Sequence, residues 1–378
     1  VTPALLALAL LGAPAEVESS VDARVDASAD ATAPVEPAPP PETPDAERSF
    51  VEAEAGVQLG LTSNLQRARK GGEADGLVHA SGEVLAAAVK QRLSGGLAFD
   101  LRQPLGLPAL RSAQGQLTGT YEVPAGPLRL GVAVAGEYER SLTVFTETGT
   151  LGAALSRASL GARAAPFAAW APEPFRLELA PVVGVRRVTG AETYDLSDLG
   201  ARVAFRWFET RLFHAGVSAL WHQRRFDGLY AHTRDGQRPT TAPAVSLNLL
   251  DTELRLGSHP LESLDLALRL GLSRVYDRFD GYHSHTGLSA GFEAGWQPET
   301  GLGGHLSTDF SRRTYGLRLT SPTQSGDESE LATAAGLHYT VRTWLTPALD
   351  YELHFAEAGG RGTLFTEHVG LLGLRGRY

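Results

Sequence analysis

The chain reads as an all-β protein: a transmembrane antiparallel up-and-down β-barrel of about sixteen strands, with fourteen to eighteen as the range. Three observations lead there. From Phe50 to Tyr378, apolar and polar residues alternate with period 2, and successive strand residues point to opposite faces. The alternating segments run for ~9–12 residues, long enough to cross a bilayer at a tilt, where soluble strands are typically ~5–6 residues. The connectors alternate between short and long, as expected of tight periplasmic turns and larger external loops.

In chain order, residues 1–15 come first. The apolar run ALLALALLGA at 4–13 is followed by Ala13-Pro14-Ala15. At ~10 residues the run is too short for a spanning helix and fits a secretory signal with its small-x-small cleavage site. The positively charged start of such a signal is missing and the chain opens on Val1, so a truncated signal or an alternative start is expected. Residues 16–48 follow as a disordered, acidic, Pro- and Ala-rich periplasmic tail. Between Glu16 and Glu47 there are nine acids and one base, Arg24, a net −8 out of the −9 of the whole chain. Such a segment buries too little apolar surface to fold. It serves as a spacer or as a docking segment for a periplasmic partner.

Residues 49–378 form the barrel. The expected strands are 50–62, 77–91, 96–104, 113–123, 127–142, 153–165, 174–188, 198–208, 211–224, 242–256, 262–276, 286–297, 301–314, 329–343, 347–357 and 364–378. In 127–142, Leu128, Leu130, Val132 and Val134 oppose Arg129, Gly131, Ala133, Glu137 and Glu139. In 262–276, five leucines from Leu264 to Leu272 oppose Asp265, Ala267, Arg269, Gly271 and Ser273. Phe175, Leu177 and Leu179 oppose Arg176 and Glu178, and Leu349, Tyr351 and Leu353 oppose Asp350 and Glu352. The span 77–91 alternates poorly. The span 242–256 changes face near Leu250 and Asp251, which predicts a bulge there. The polar faces are rich in Gly, Ala, Ser, Arg, Glu and His, which suits a lumen better than a solvated outer surface. Four of the five Trp (Trp170, Trp207, Trp296 and Trp344) fall at short turns, and Trp221 falls near the other end of its strand. That sorting predicts an aromatic belt at one interface.

On these residues the chain resembles the porin-type bacterial outer-membrane β-barrels, over about 50–378. The last strand, EHVGLLGLRGRY, is similar to the C-terminal assembly signal of that class, with Tyr378 as the terminal aromatic and Leu374 and Leu372 on the same face. Gly376 and Gly370 depart from its pattern. The resemblance implies the Gram-negative outer membrane, lipid as the surrounding, and the barrel-assembly machinery as a partner during biogenesis.

Composition narrows the chemistry. There is no Cys, which removes disulfides, thiolate metal sites and cysteine nucleophiles. Residues 48–378 are nearly neutral, so no basic footprint for nucleic acid exists. Gly287-Leu288-Ser289-Ala290-Gly291 matches G-x-S-x-G, but that motif needs a strand-to-helix turn, and alternation continues through it to Trp296. His283 and His285, near Asp277 and Asp280, have metal-binding chemistry but weak spacing. Glu52/Glu54, Glu137/Glu139 and Asp350/Glu352 are i,i+2 carboxylate pairs, read as partners in ion-pair ladders with inward Arg such as Arg157, Arg163 and Arg342. No catalytic, cofactor-binding or metal-binding residue is assigned, and no cofactor is expected.

The candidate pore-lining residues are Arg129, Glu137, Glu139, Arg176, Glu178, Arg202, Arg206, Asp265, Arg269, Asp309, Arg313, Asp350, Glu352, Arg375 and Arg377. His214, His222, His305, His338 and His354 project to the same face. A barrel of ~16 strands is wide enough for an aqueous channel. The leading reading is a non-enzymatic channel for passive diffusion of hydrophilic solutes or ions. The alternative is an export or assembly barrel for polysaccharide or protein, working with a periplasmic partner. An outer-membrane hydrolase or structural anchor ranks lower. The loop near 143–152 is too short to fold inward as a constriction, and the longest loop is 225–241.

Overall fold

The computed structural model describes residues 49–377, apart from 64–73, 89–91, 107–110, 145–153, 190–194, 211–212, 234–236, 238, 262, 299–300, 317–318, 322–323, 326, 343 and 359–361. The expected signal and acidic tail therefore lie outside the described residues. Among the described residues every regular element is a strand, and no helix is long and apolar enough to cross a membrane.

The strands are β1 (Phe50–Thr62), β2 (Asp75–Ala88), β3 (Leu93–Pro104), β4 (Ser112–Ala125), β5 (Leu128–Val144), β6 (Ala154–Trp170), β7 (Phe175–Val188), β8 (Leu196–Thr210), β9 (Phe213–Tyr230), β10 (Ala244–Leu261), β11 (Leu264–Asp277), β12 (His285–Trp296), β13 (Gly301–Tyr315), β14 (Leu319–Ser321), β15 (Gln324–Ser325), β16 (Glu328–Thr340), β17 (Thr346–Ala358) and β18 (Gly362–Arg377). Sixteen of them close into one antiparallel barrel in sequence order. The short pair β14–β15 forms a separate hairpin in the connector between β13 and β16. Closure is made by β1 on β18, from Glu54↔Arg377 to Thr62↔Val369.

Every second connector is tight. Those after β2, β4, β6, β8, β10, β12 and β16 have two to five residues, whereas those after β1, β9 and β13 have twelve or thirteen. The β4–β5 turn is Gly126-Pro127, and Gly126 adopts φ +68°, a conformation glycine enters without the Cβ clash other residues suffer. Phe50 and Arg377 both emerge at the tight-turn rim.

The alternation sorts side chains as the sequence predicts. Val57, Leu59 and Leu61, Leu128 to Val134, Leu177 and Leu179, Leu270 and Leu272, and Leu372 and Leu374 all point outward and are exposed. A soluble monomer rarely exposes a contiguous apolar surface of this size; a bilayer supplies its apolar surroundings. Trp170, Trp296 and Trp344 are exposed at the tight-turn rim. At the same rim Trp207 meets Phe213 edge-on at 6.0 Å and Phe175 stacks on Phe205 at 5.9 Å.

Three expectations need correction. The barrel strands run from 12 to 18 residues, beyond the ~9–12 needed to cross a bilayer and longer than several of the expected spans, because pairing continues through prolines and glycines that read as breaks. With β9 extended to Tyr230, Trp221 lies in mid-strand instead of near an end. No bulge occurs at Leu250 and Asp251. The register of β10 runs unbroken against β11 from Leu247 to Ser258, and its shifts fall at Ala244/Ser246 and Ser258/Leu261. What changes near Leu250 is the chemistry of the inward face, from Val245, Leu247 and Leu249 to Asp251, Glu253 and Arg255.

The β6–β7 ladder is interrupted. Between β6 and β7 the pairs stop at Ala164↔Val183 and resume at Ala168↔Leu179. The register places Pro166 opposite Pro181. Neither carries an N–H to donate, yet each keeps its pairing on the far side, Pro166 with Val132 and Pro181 with Ala201. The two missing donors therefore face each other.

The face assignment makes a direct prediction. Leu306→Arg places a charge on the outer face and should destabilise the folded barrel in lipid by up to about 2–4 kcal/mol near mid-membrane. Ser307→Arg, one residue on and facing inward, should be tolerated. Urea unfolding in vesicles measures both, and equal losses would contradict the assignment.

Candidate pore lining

The inner wall is built from one parity of residues on each strand, and it is not uniformly polar. Among the described residues three apolar clusters interrupt it. Leu196, Phe226, Ala231, Val245, Leu247, Leu249 and Val275 pack together on the inner face of β8–β11 at the long-connector rim. Ala165, Phe167, Ala169, Ala180 and Val182 pack beside the proline interruption, with Ala133 and Leu220 against them. Leu77, Val369 and Leu371 form the third cluster under β1, β2 and β18.

The charges between these clusters are organised by register. On β4–β8 they form a chain. Arg129 Nη1 donates to Glu122 at 3.2 Å, Arg176 Nη2 donates to Glu122 at 2.9 Å and to Glu178 at 3.0 Å, and Arg202 Nη2 donates to Glu178 at 2.5 Å. The Arg176 guanidinium also lies over the Phe167 ring at 5.5 Å. Nearer the other rim, Arg186 donates to Glu139 at 3.1 Å and lies 3.7 Å from Glu137. Asp198 and Arg224 are buried partners through Nε at 3.0 Å and Nη2 at 3.3 Å, with His222 between Asp198 and Asp251 at 3.7 and 3.4 Å. Arg206 and Arg255 both pair in register with Gly216, and Arg255 bonds Glu253.

A second set occupies β11–β13. Arg269 Nη2 donates to Glu293 at 2.7 Å and to Asp309 at 3.1 Å. Arg269 and Asp309 meet across β12 because Gly291 lies between them. A Cβ there would sit 2.6 Å from the Asp309 carboxylate. Asp265 is held by His259 close to the β10–β11 turn. The side chains of Asp265, Glu293 and Asp309 are 60%, 51% and 54% exposed, so this sector is open to water. Arg313 lies 4.0 Å from Glu328 on β16.

The third set spans β13 to β3 and is the most buried. Asp350 accepts from Gln58 and Arg375, and His305 is 3.7 Å away. His79 meets Gln58 at 2.9 Å and Asp100 at 2.5 Å. Arg102 grips Glu352 with both terminal nitrogens, at 2.7 and 3.0 Å, and His354 lies 3.3 Å from the same carboxylate. Asp350 and His305 approach over Gly336, where a Cβ would fall 2.1 Å from one and 2.2 Å from the other. An inward glycine thus opens the gap through which charges two strands apart can meet.

Fourteen of the fifteen candidate side chains face the interior, and the backbone of Arg377 holds an inward register position opposite Glu54. The structure joins candidates that no sequence spacing links: Arg176 with Arg202 through Glu178, and Arg269 with Asp309. It separates Asp265 from the rest. Gln58, His79, Asp100, Arg102, Glu122, Asp198 and Arg224 are partners the sequence reading did not single out. The available signal was parity: each shares its strand's inward set. In β2 that set mixes Leu77 and Leu85 with His79 and Glu83, which hid the alternation.

The remaining motifs resolve structurally. Ser289 lies mid-strand in β12, between Gly271 and Ser311. Asp277 accepts from the backbone N–H of Phe279 at 2.9 Å and His283 at 3.3 Å, closing the 278–284 turn. His283 packs against Tyr282 and His232. Among the described residues no group of three ligand side chains is placed to hold a metal.

Burial divides these ion pairs energetically. Arg224→Ala leaves Asp198 buried without its guanidinium and should cost about 3–5 kcal/mol. Arg269→Ala removes an exposed pair worth about 0–1 kcal/mol. Denaturant unfolding followed by heat-modifiable gel mobility measures the difference, and equal effects would contradict the burial pattern.

No protein-family model and no curated protein sequence matches the chain. Solved structures similar to it include an anion-selective porin from Comamonas acidovorans, at 10% identity over 88% of this chain and 99% of that one, with a TM-score of 0.42. A bacterial polysaccharide outer membrane secretin is 12% identical over 87% and 98%, with a TM-score of 0.41. OccK2 (OpdF) of Pseudomonas aeruginosa is 11% identical over 88% and 98%, with a TM-score of 0.39. The chain is thus similar to outer-membrane porins and other outer-membrane barrels, as its own closed sixteen-stranded ladder leads one to expect.

Proposed function

We propose that this protein is a channel of the Gram-negative outer membrane that passes small hydrophilic solutes or ions by diffusion. The observation that carries the reading is the opposition of the two faces of one closed sheet. The outer face is apolar and exposed, and the inner face carries charged networks between its apolar clusters. Such a sheet separates lipid from a polar interior, and charged walls set which ions enter. In this reading the tight-turn rim, with its aromatic belt, faces the periplasm. Transport needs no covalent step and no cofactor. The wall charges act by replacing part of a solute's hydration.

The water-exposed sector on β11–β13 sets the selectivity. Asp265, Glu293 and Asp309 stand there against Arg269, so the pore favours cations. The test is single-channel recording of the full-length chain in planar bilayers under a salt gradient. Stable steps with a cation-directed reversal potential are expected. Glu293→Gln with Asp309→Asn should move that potential toward zero. Silent bilayers containing correctly folded barrel would reject the open-channel reading.

A further inference from the structure

We infer that the lumen is narrowed by its own wall, through an ion-pair clamp between Arg102 and Glu352. The inference rests on the channel reading and names the element that sets the size of solute admitted.

The wall path between these residues is long. Arg102 is on β3 and Glu352 on β17, with β2, β1 and β18 between them. Four inter-strand steps at about 4.8 Å each make about 19 Å of wall, a quarter of the circumference of a sixteen-stranded barrel. Across that sector the guanidinium and the carboxylate meet in a paired contact of 2.7 and 3.0 Å. Two parallel N–H···O bonds between opposite charges are the strongest and most directional form of this interaction. They can form only where the wall bends sharply and draws β3 toward β17.

Burial beneath the contact agrees. Gln58, Thr62, Leu77, Val369 and Leu371 lie on the inner faces of β1, β2 and β18, the strands bridged by the clamp. Each is at most 3% exposed. Inner-wall side chains of an open pore face water, as Glu293 and Asp309 do at 51% and 54%. Here three of the five are apolar, and Thr62 is spent on Glu367 at 2.9 Å. The clamp is braced from both ends. Arg102 also lies 3.5 Å from Asp100, which His79 holds, while His354 supports Glu352. The sector β17–β3 is therefore closed, and the water-exposed charges of the wall lie outside it, on β11–β13.

The test uses the full-length chain with two readouts. Releasing the clamp by Arg102→Ala with Glu352→Ala should raise single-channel conductance about two-fold and admit larger uncharged solutes in a swelling assay. Glu352→Gln, which keeps the shape of the side chain, should give a smaller rise in the same direction. The exchange Arg102→Glu with Glu352→Arg should return conductance toward the original value, which a merely destabilised barrel would not do. The second readout is independent of conduction. Because the chain has no Cys, Thr62→Cys gives a single thiol beneath the clamp. It should react slowly with a bulky hydrophilic maleimide when the clamp is intact and several-fold faster when Arg102 and Glu352 are both Ala. Unchanged conductance together with unchanged thiol reactivity in a folded barrel overturns the clamp. Silent bilayers with clamp-dependent thiol reactivity would retain the clamp and remove the channel reading instead.

Discussion

Everything in this protein follows from the closure of one hydrogen-bonded ladder. A sheet surrounded by lipid cannot leave an edge, because no water is available to satisfy an unpaired N–H or C=O. The pairing of β1 with β18 removes the last edge. It also fixes the inside and outside of every strand at once, since a slip of one residue would turn a whole set of side chains to the wrong face. The gap in the ladder between β6 and β7 has a chemical reason: two prolines face each other with no N–H between them. The inner wall at that point is sealed by Phe167, Ala180 and Val182, which limits the access of lumen water to the gap.

With the faces fixed, the interior becomes a problem of pairing charge. Inward residues on neighbouring strands stand side by side, and the small residues between them decide which charges meet. Gly291 lets Arg269 reach Asp309, and Gly336 lets His305 reach Asp350. A bulkier residue at either position would break a lateral network into isolated pairs. The abundance of glycine on the inward faces therefore has a packing role as well as a turn role. It allows a wide barrel to hold its charges in groups, wet on β11–β13 and dry between β17 and β3.

The two regimes behave differently. Exposed pairs are screened and exchange partners with solvent ions, which suits a wall that ions pass. Buried pairs hold geometry, because losing one partner strands the other in a dry site. A barrel this wide needs a means of limiting its bore, and the folded-in sector with Arg102 and Glu352 at its mouth supplies one in this reading.

Much of this architecture was legible in the sequence by itself. Period 2, strand length, alternating connector lengths and the clustering of Trp determined an antiparallel barrel of about sixteen strands, its lipid-facing residues and most of its inward charges. These are local properties, set by the two-sided nature of a strand and by turn residues such as Gly126. The tertiary structure alone decided which inward residues meet. Arg102 and Glu352 are 250 positions apart, and nothing in the spacing of either predicts a bond that depends on how sharply the closed wall bends. It also decided that part of the lumen face is apolar. Leu247 and Leu249 looked like a change of face because alternation was read as polar against apolar, when it is only inward against outward; a stretch whose two sides are both apolar has no visible phase until its neighbours are paired.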